Sequence, residues 1–206
     1  MPWSEDHKQK TRERIVAAAA SIFRQQGIEQ TTVAEVMQRA GLTHGGFYAH
    51  FSSKDDLVAD AIVHASDQLR DVFPSADSGV TSSNPILTAA EKYLSHGHLA
   101  HPELGCPLAA LSSELIRGNQ KVRKALGTEI RKRLDALYHW TASRLSPARR
   151  RQQAAGALAC MVGGMILARS LKEPEATALL QDCQSFLESA LRTPTRRTRQ
   201  ATNRDQ

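Results

Sequence analysis

Apolar residues recur at intervals of three and four along most of the chain, and the strict alternation of a half-buried strand is scarce. The pattern predicts an all-α protein. In a first helix over about residues 7–26, Ile15, Ala18, Ala19, Ile22 and Phe23 share one stripe, and Gly27 follows where a left-handed cap is expected. Thr32 and Glu35 have capping-box spacing and open a short helix with Val33, Val36, Met37 and Ala40 on its apolar face, ended by Gly41. Thr43 is placed to cap a third helix reaching about His50, with Leu42, Phe47 and Phe51 inward. Ser53 and Asp56 then open a longer helix carrying Leu57, Ala61, Ala65 and Leu69 inward. The stretch PSADSGVTSSNP, residues 74–85, is a loop by composition and divides the chain. Beyond it, helices are predicted near residues 85–100, 106–117, 119–145, 147–171 and 174–192, with breaks at Pro102, Gly118, Pro147 and Pro174.

Charge changes this picture less than its total suggests. Of the net +6, residues 1–54 contribute 7 basic and 5 acidic side chains, residues 55–191 contribute 15 and 15, and residues 192–206 contribute 5 and 1. The excess is thus concentrated in residues 192–206, and residues 193–206, which lack apolar periodicity, are expected to form a disordered basic tail. Binding to nucleic acid must therefore be argued from individual residues. No apolar run of about 18 residues suggests a membrane span. The polar N-terminus has no signal-peptide core, and Cys106, Cys160 and Cys183 are odd in number and widely spaced. A cytoplasmic protein with reduced thiols and no zinc module is expected.

Two short helices meeting at Gly41, with a longer helix on either side, form a helix-turn-helix. Its second helix is the one that enters a major groove, N-terminal residues toward the bases. Thr43 and His44 can reach base edges or phosphates, and Tyr48 and His50 present polar tips to phosphate oxygens. Gly45 and Gly46 stand side by side inside this helix, where each costs roughly 1 kcal/mol relative to alanine. The expected reason is a backbone that DNA can approach closely. Thr31 and Thr32 offer hydroxyls and unpaired N–H groups to a phosphate. Lys54 opposes the preference for acids in a first helical turn, which a phosphate partner explains. Lys8, Lys10 and Arg12 are expected to form a basic arm, and Arg39 a solvated or ion-paired side chain.

The stretch TRERIVAAAASIFRQQGIEQTTVAEVMQRAGLTHGGFYAHFSSKDDLV, with its YAHF and SK positions, resembles the DNA-binding domain of the TetR family of bacterial transcriptional regulators. The resemblance implies a three-helix helix-turn-helix DNA-binding domain over residues 8–68. Residues 80–192 match in layout, as a helical ligand-binding and dimerisation domain. It further implies a homodimer on partly palindromic double-stranded operator DNA, acting as a repressor released by a small-molecule effector. A DNA-binding activator or architectural factor that needs no ligand is the alternative. No paired carboxylates, nucleophile elbow, P-loop or metal signature is present, so no enzyme activity, cofactor or metal is expected.

In the C-terminal part, Gly156, Gly163, Gly164, Ala157, Ala159 and Ala168 give one helix a small-residue face. The last helix carries Ala178, Leu179, Phe186, Leu187 and Leu191, and together they suggest a four-helix bundle with a two-fold mate. His96, His98 and His101 cluster in sequence, but His96 and His98 diverge by about 200° on a helix, so surface or helix-end positions are expected. Cys106, between Gly105 and Pro107 at a helix entrance, reads either as a small buried apolar residue or as a thiol activated by helix N–H groups. Some TetR-family members with a similar GC segment respond to electrophiles or oxidants, which implies a sensing role for Cys106. Cys160 and Cys183 read as structural.

Overall fold

The computed structural model describes residues 5–74 and 82–192, and every regular element within them is helical. The N-terminal part consists of α1 (Glu5–Gln26), α2 (Val33–Arg39), a 3₁₀ segment (His44–Ala49) and α3 (Lys54–Asp67). The C-terminal part contains α4 (Pro85–Tyr93), α5 (His96–Ala100), a 3₁₀ turn (Pro102–Leu104), α6 (Pro107–Leu115), α7 (Gln120–Trp140), α8 (Pro147–Arg169) and α9 (Glu175–Leu191). Residues 75–81 of the expected loop and the whole expected tail, 193–206, lie outside the described residues.

The predicted stripes of α1 and α3 meet. Ile15, Ala19 and Phe23 of α1 and Leu57, Ala61 and Ala65 of α3 are buried with Phe47 and Phe51 between them. Full burial of each large side chain is worth about 1.5–3 kcal/mol, enough to hold elements too short to be stable alone. Ala18 is only half-buried. Gly27 closes α1 with φ 91°, the left-handed cap expected of it.

Three elements depart from expectation. The predicted helix over residues 85–100 is broken at Leu94, because Ser95 offers its hydroxyl to the His98 N–H at 3.2 Å and starts a new turn. Gln184 of α9 satisfies the freed Leu94 carbonyl at 3.0 Å. The helix expected to reach residue 145 stops at Trp140, where Arg150 of α8 donates to the Tyr138 carbonyl and lies 4.0 Å over the Tyr138 ring. The third N-terminal helix is 3₁₀ rather than α, closed by Gly46 N–H to the Thr43 carbonyl and His50 N–H to the Phe47 carbonyl.

The small-residue face of α8 splits in two. Ala157, Gly164 and Ala168 turn inward, and a Cβ at Gly164 would lie 2.8 Å from Cys183 Sγ on α9. Ala155, Gly156, Ala159, Ile166 and Leu167 turn outward at helical spacing, and the Phe186 side chain of α9 is likewise exposed. On α9, Leu187 is buried, Leu179 and Leu191 are half-buried and Ala178 is exposed.

Candidate nucleic-acid interface

Gly41 adopts φ 69°, which returns the Leu42 N–H to the Met37 carbonyl at 2.9 Å and turns the chain out of α2. Arg14 of α1 donates to the Ala40 carbonyl at 2.6 Å and fixes that turn from behind. The buried rings of Phe47 and Phe51 stack 5.6 Å apart. Arg12 lies 4.7 Å over Phe51 and pairs with Asp60 of α3. The 3₁₀ segment is thereby clamped on its inner side, and its outer side carries Thr43, His44, Gly45 and Tyr48, all exposed. Tyr48 is 70% exposed and braced edge-on against Phe47 at 5.2 Å.

The glycine pair has no explanation inside the protein. Neither Gly45 nor Gly46 has a positive φ. A Cβ at Gly45 would meet nothing within 4 Å, and one at Gly46 would rest 3.6 Å from Met37 Cε, an ordinary contact. The chain could carry side chains here and does not.

Several expected contacts change. Thr31 is buried, and its hydroxyl donates to the Gly27 carbonyl at 2.6 Å, so it has no free face for a phosphate. The Thr32 N–H and hydroxyl both turn to the Glu35 carboxylate, at 2.6 and 2.8 Å, in a complete capping box. Those bonds hold the Glu35 carboxyl below its ordinary range, which keeps a negative charge where a phosphate was expected. Thr43 occupies the cap position but its hydroxyl makes no capping bond. Lys54 is half-buried and donates to the Ile28 carbonyl at 2.6 Å, which accounts for a cation in this first turn without DNA. The expected basic arm is helical: Lys8, Lys10 and Arg12 lie within α1, with Lys10 paired to Asp6. Arg39 is exposed and bonded to Gln25 and Ser21.

His50 is half-buried at the edge of a depression of about 340 Å³ between α1 and the 3₁₀ segment, with Lys8 and Thr11 opposite. Its Nδ1 is buried without a hydrogen-bond partner. Burial, then the nearby Lys8 and Arg12, lower its pKa and favour the neutral ring.

Comparison with known proteins agrees with this geometry. Residues 15–61 match the family model described as bacterial regulatory proteins, tetR family. The helix-turn-helix part of the chain is similar to the tetR family. An uncharacterized HTH-type transcriptional regulator of Mycobacterium tuberculosis (strain CDC 1551 / Oshkosh) is 26% identical over 170 residues, 78% of this chain and 85% of that protein. The HTH-type transcriptional regulator TtgR of Pseudomonas putida is 34% identical over 83 residues, 40% of this chain and 39% of its own length. A TetR transcriptional regulator from Chloroflexus aurantiacus superposes with TM-score 0.73 at 24% identity, covering 89% of this chain and 95% of that one. The fold likeness thus extends beyond the tetR-family region into the C-terminal helices.

Polar bonds tie the helix-turn-helix to the C-terminal part. Glu114 of α6 accepts from the Ile28 and Glu29 N–H groups, each at 2.9 Å. Arg133 of α7 donates to the Ser66 carbonyl of α3 and lies 4.9 Å over Phe73. Arg24 of α1, 4% exposed, donates to the carbonyls of Gly105 and Ala20 and to Gln68 Oε1 at 2.6, 2.8 and 2.6 Å. Burial brings its guanidinium down to about 10.

Around Gly105 the structure assembles residues that sequence reasoning did not connect. Cys106 is 2% exposed, under the fully buried Tyr93. His98, Nδ1 2.7 Å from the Tyr93 carbonyl, accepts the Cys106 N–H on Nε2 at 2.9 Å. A carbonyl only accepts, so Nδ1 carries the proton and the ring is neutral. Burial lowers its pKa to about 4. The expected histidine cluster disperses: His96 faces Glu173 at 3.7 Å, and His101 faces Glu103 at 3.2 Å. Cys160 and Cys183 adjoin across α8 and α9, and burial, then Cys183, raises the Cys160 thiol to about 11.

Proposed function

We propose that this regulator is a homodimeric repressor that binds palindromic operator DNA and is released by a small molecule. The carrying observation is the 3₁₀ segment: firmly clamped on its inner side, it presents an outer face with two glycines that neither backbone conformation nor packing explains. Close approach by a phosphate–sugar backbone or base edges does explain them. Thr43, His44, Gly45 and Gly46 then meet the groove. Tyr48 and His50 meet phosphates, and Lys54 contributes field more than a direct bond.

Dimerisation through the outward face of α8 and the exposed Phe186 of α9 is supported by the apolar and small residues there, and by the two-fold symmetry an operator of two half-sites requires. Two depressions support a small-molecule effector. One, of about 200 Å³, is lined by Ile86, Trp140, Thr141, Gln153 and Leu191, and another, of about 380 Å³, by Leu99, Pro102, Ala168, Arg169, Leu171 and Ala176. No helix among the described residues is long and apolar enough to cross a membrane.

A genomic DNA selection with the purified chain tests the reading. Recovery of a shared palindrome that the protein protects as a dimer supports it; enrichment without any common sequence overturns it in favour of an architectural factor. Covalent release through Cys106 is a second form of the switch. It is tested by comparing operator affinity of wild type and Cys106→Ser with and without N-ethylmaleimide. Identical responses of the two proteins dismiss it.

A further inference from the structure

Cys160 of α8 and Cys183 of α9, which the sequence reads as structural, stand 23 positions apart and are brought together by packing. The Cys160 thiol donates to the Cys183 carbonyl at 3.7 Å. One turn further along α8, a Cβ at Gly164 would lie 2.8 Å from Cys183 Sγ and 3.4 Å from Cys183 Cβ. A side chain at position 164 would push α9 away, so the glycine is what lets the Cys183 sulfur settle against α8 beside Cys160. Both thiols are free and half-buried, and each keeps a face toward solvent. Cys106, by contrast, is closed off at 2% exposure. Among the described residues no third histidine, cysteine or acidic side chain joins the pair to make a metal site.

We propose that Cys160 and Cys183 are a redox-sensitive thiol pair, which hydrogen peroxide converts to a reversible disulfide between α8 and α9. In the first step Cys183 Sγ attacks one peroxide oxygen and the O–O bond breaks. The departing hydroxide takes up the thiol proton as water and leaves a sulfenic acid on Cys183. In the second step Cys160 Sγ attacks the Cys183 sulfur and displaces hydroxide, which leaves with the Cys160 proton as a second water. The two thiols together give up two electrons and the peroxide accepts them. Cys160 suits the second role. Burial, then the neighbouring Cys183, raises its thiol to about 11, which keeps it protonated toward the free oxidant. Against a sulfenic acid already in contact, a thiolate of high pKa is the stronger nucleophile.

The link reaches the DNA-binding part through the residue beside it. Gln184 donates to the Leu94 carbonyl at 3.0 Å, and Leu94 Cδ2 lies 3.3 Å from the same Cβ position at Gly164. Drawing the Cys183 sulfur from contact to bonded distance shifts Gln184 against the end of α4. The adjoining Tyr93 carbonyl holds His98, His98 accepts the Cys106 N–H, and the Gly105 carbonyl holds Arg24 of α1. Oxidation is therefore expected to loosen the seat of the helix that braces the 3₁₀ segment. This consequence rests on the regulatory reading above; the disulfide itself is measured without DNA.

Peptide mapping of the full-length chain after treatment with hydrogen peroxide tests the pair. Trypsin places the three cysteines on separate peptides, so a disulfide joining 152–169 to 173–192 identifies the link. That link is expected in wild type and in Cys106→Ser, within one chain at every protein concentration, and dithiothreitol should reverse it. Cys160→Ser is expected to stop at a Cys183 sulfenic acid trapped by dimedone, and Cys183→Ser to leave Cys160 as thiol. Alanine replaces serine where the hydroxyl prevents folding. A link through Cys106, a link only between chains, over-oxidation without a link, or thiols that outlast free glutathione in the same peroxide would each overturn the pair. In wild type and Cys106→Ser, oxidation should weaken operator affinity severalfold and dithiothreitol should restore it, with no change in Cys160→Ser. Unchanged operator affinity of a fully linked chain would overturn the switch. The link in a chain that selects no operator would leave the thiol pair standing and the regulatory reading fallen; operator selection by a chain that forms no link would do the reverse.

Discussion

His44–Ala49 and the stretch around Gly105 resemble one another as sequence, each placing glycine at the entrance of a short helix between polar and apolar side chains. In space they are opposites. A Cβ at Gly105 would sit 2.6 Å from Cδ2 and Nε2 of His98 and 2.9 Å from Nη2 of Arg169, whereas one at Gly45 would touch nothing within 4 Å. The first glycine is required by the protein's own interior. The second leaves room for something that is not part of the chain. A glycine signals that a neighbour comes close, and coordinates are needed to say whether that neighbour is internal.

The strongest way to break this contrast is Gly45→Leu. It is expected to reduce operator affinity to the level of non-specific DNA, about a thousandfold or more, with melting temperature equal or higher. Loss of folding would make Gly45 an internal requirement after all. Next in size is the response of the Gly105 neighbourhood to acid. The His98 pKa is about 4, below the ordinary 6.5, so the unfolded chain takes up the proton first as pH falls. The stability supplied by the neutral ring is therefore complete above about pH 6.5 and is lost toward pH 4, by on the order of 3 kcal/mol. Urea unfolding at pH 7 and pH 5 should show the loss in wild type and a flatter response in His98→Gln; parallel responses would separate His98 from the effect.

Gly105→Ala should destabilise by about 1–3 kcal/mol through overpacking, read as a lower melting temperature with operator choice retained. A neutral or stabilising result would remove the difference between the two glycines. The smallest effects concern the rim of the DNA face. Lys54→Met should cost about 1 kcal/mol of stability for the lost bond to Ile28, and change the salt dependence of binding by less than one phosphate contact. A change of a full contact would return Lys54 to the DNA. Tyr48→Phe should weaken binding nearly uniformly across DNA sequences, and a sequence-dependent change would assign Tyr48 to base readout instead.

The helices were legible where one face is apolar and caps are local: Ile15, Phe23, Leu57 and Ala61 lie inside, and the Thr32–Glu35 box forms as spacing predicts. What escaped depends on long-range partners. Thr31 looked available for a phosphate until Gly27 took its hydroxyl, and Lys54 looked anomalous until Ile28 supplied a carbonyl. The pairing of Arg24 with Gly105 joins positions 81 residues apart, and no periodicity announces it. The nearest sequence signal was the unusual Gly-Cys-Pro run, which marks a tight approach without naming His98 or Arg169 as what is approached.

The bonds that join Glu114, Arg133 and Gly105 to the N-terminal part bear on how new switches could be assembled from this one. Grafting residues 5–74 onto the body of another regulator would strand the Ile28 and Glu29 amides and bury Arg24 against an unfamiliar carbonyl. A working chimera therefore has to carry Gly105 and Glu114 across with the reading head. The exchangeable piece is a patch of three dimensions, and a cut in the chain at the loop does not respect it.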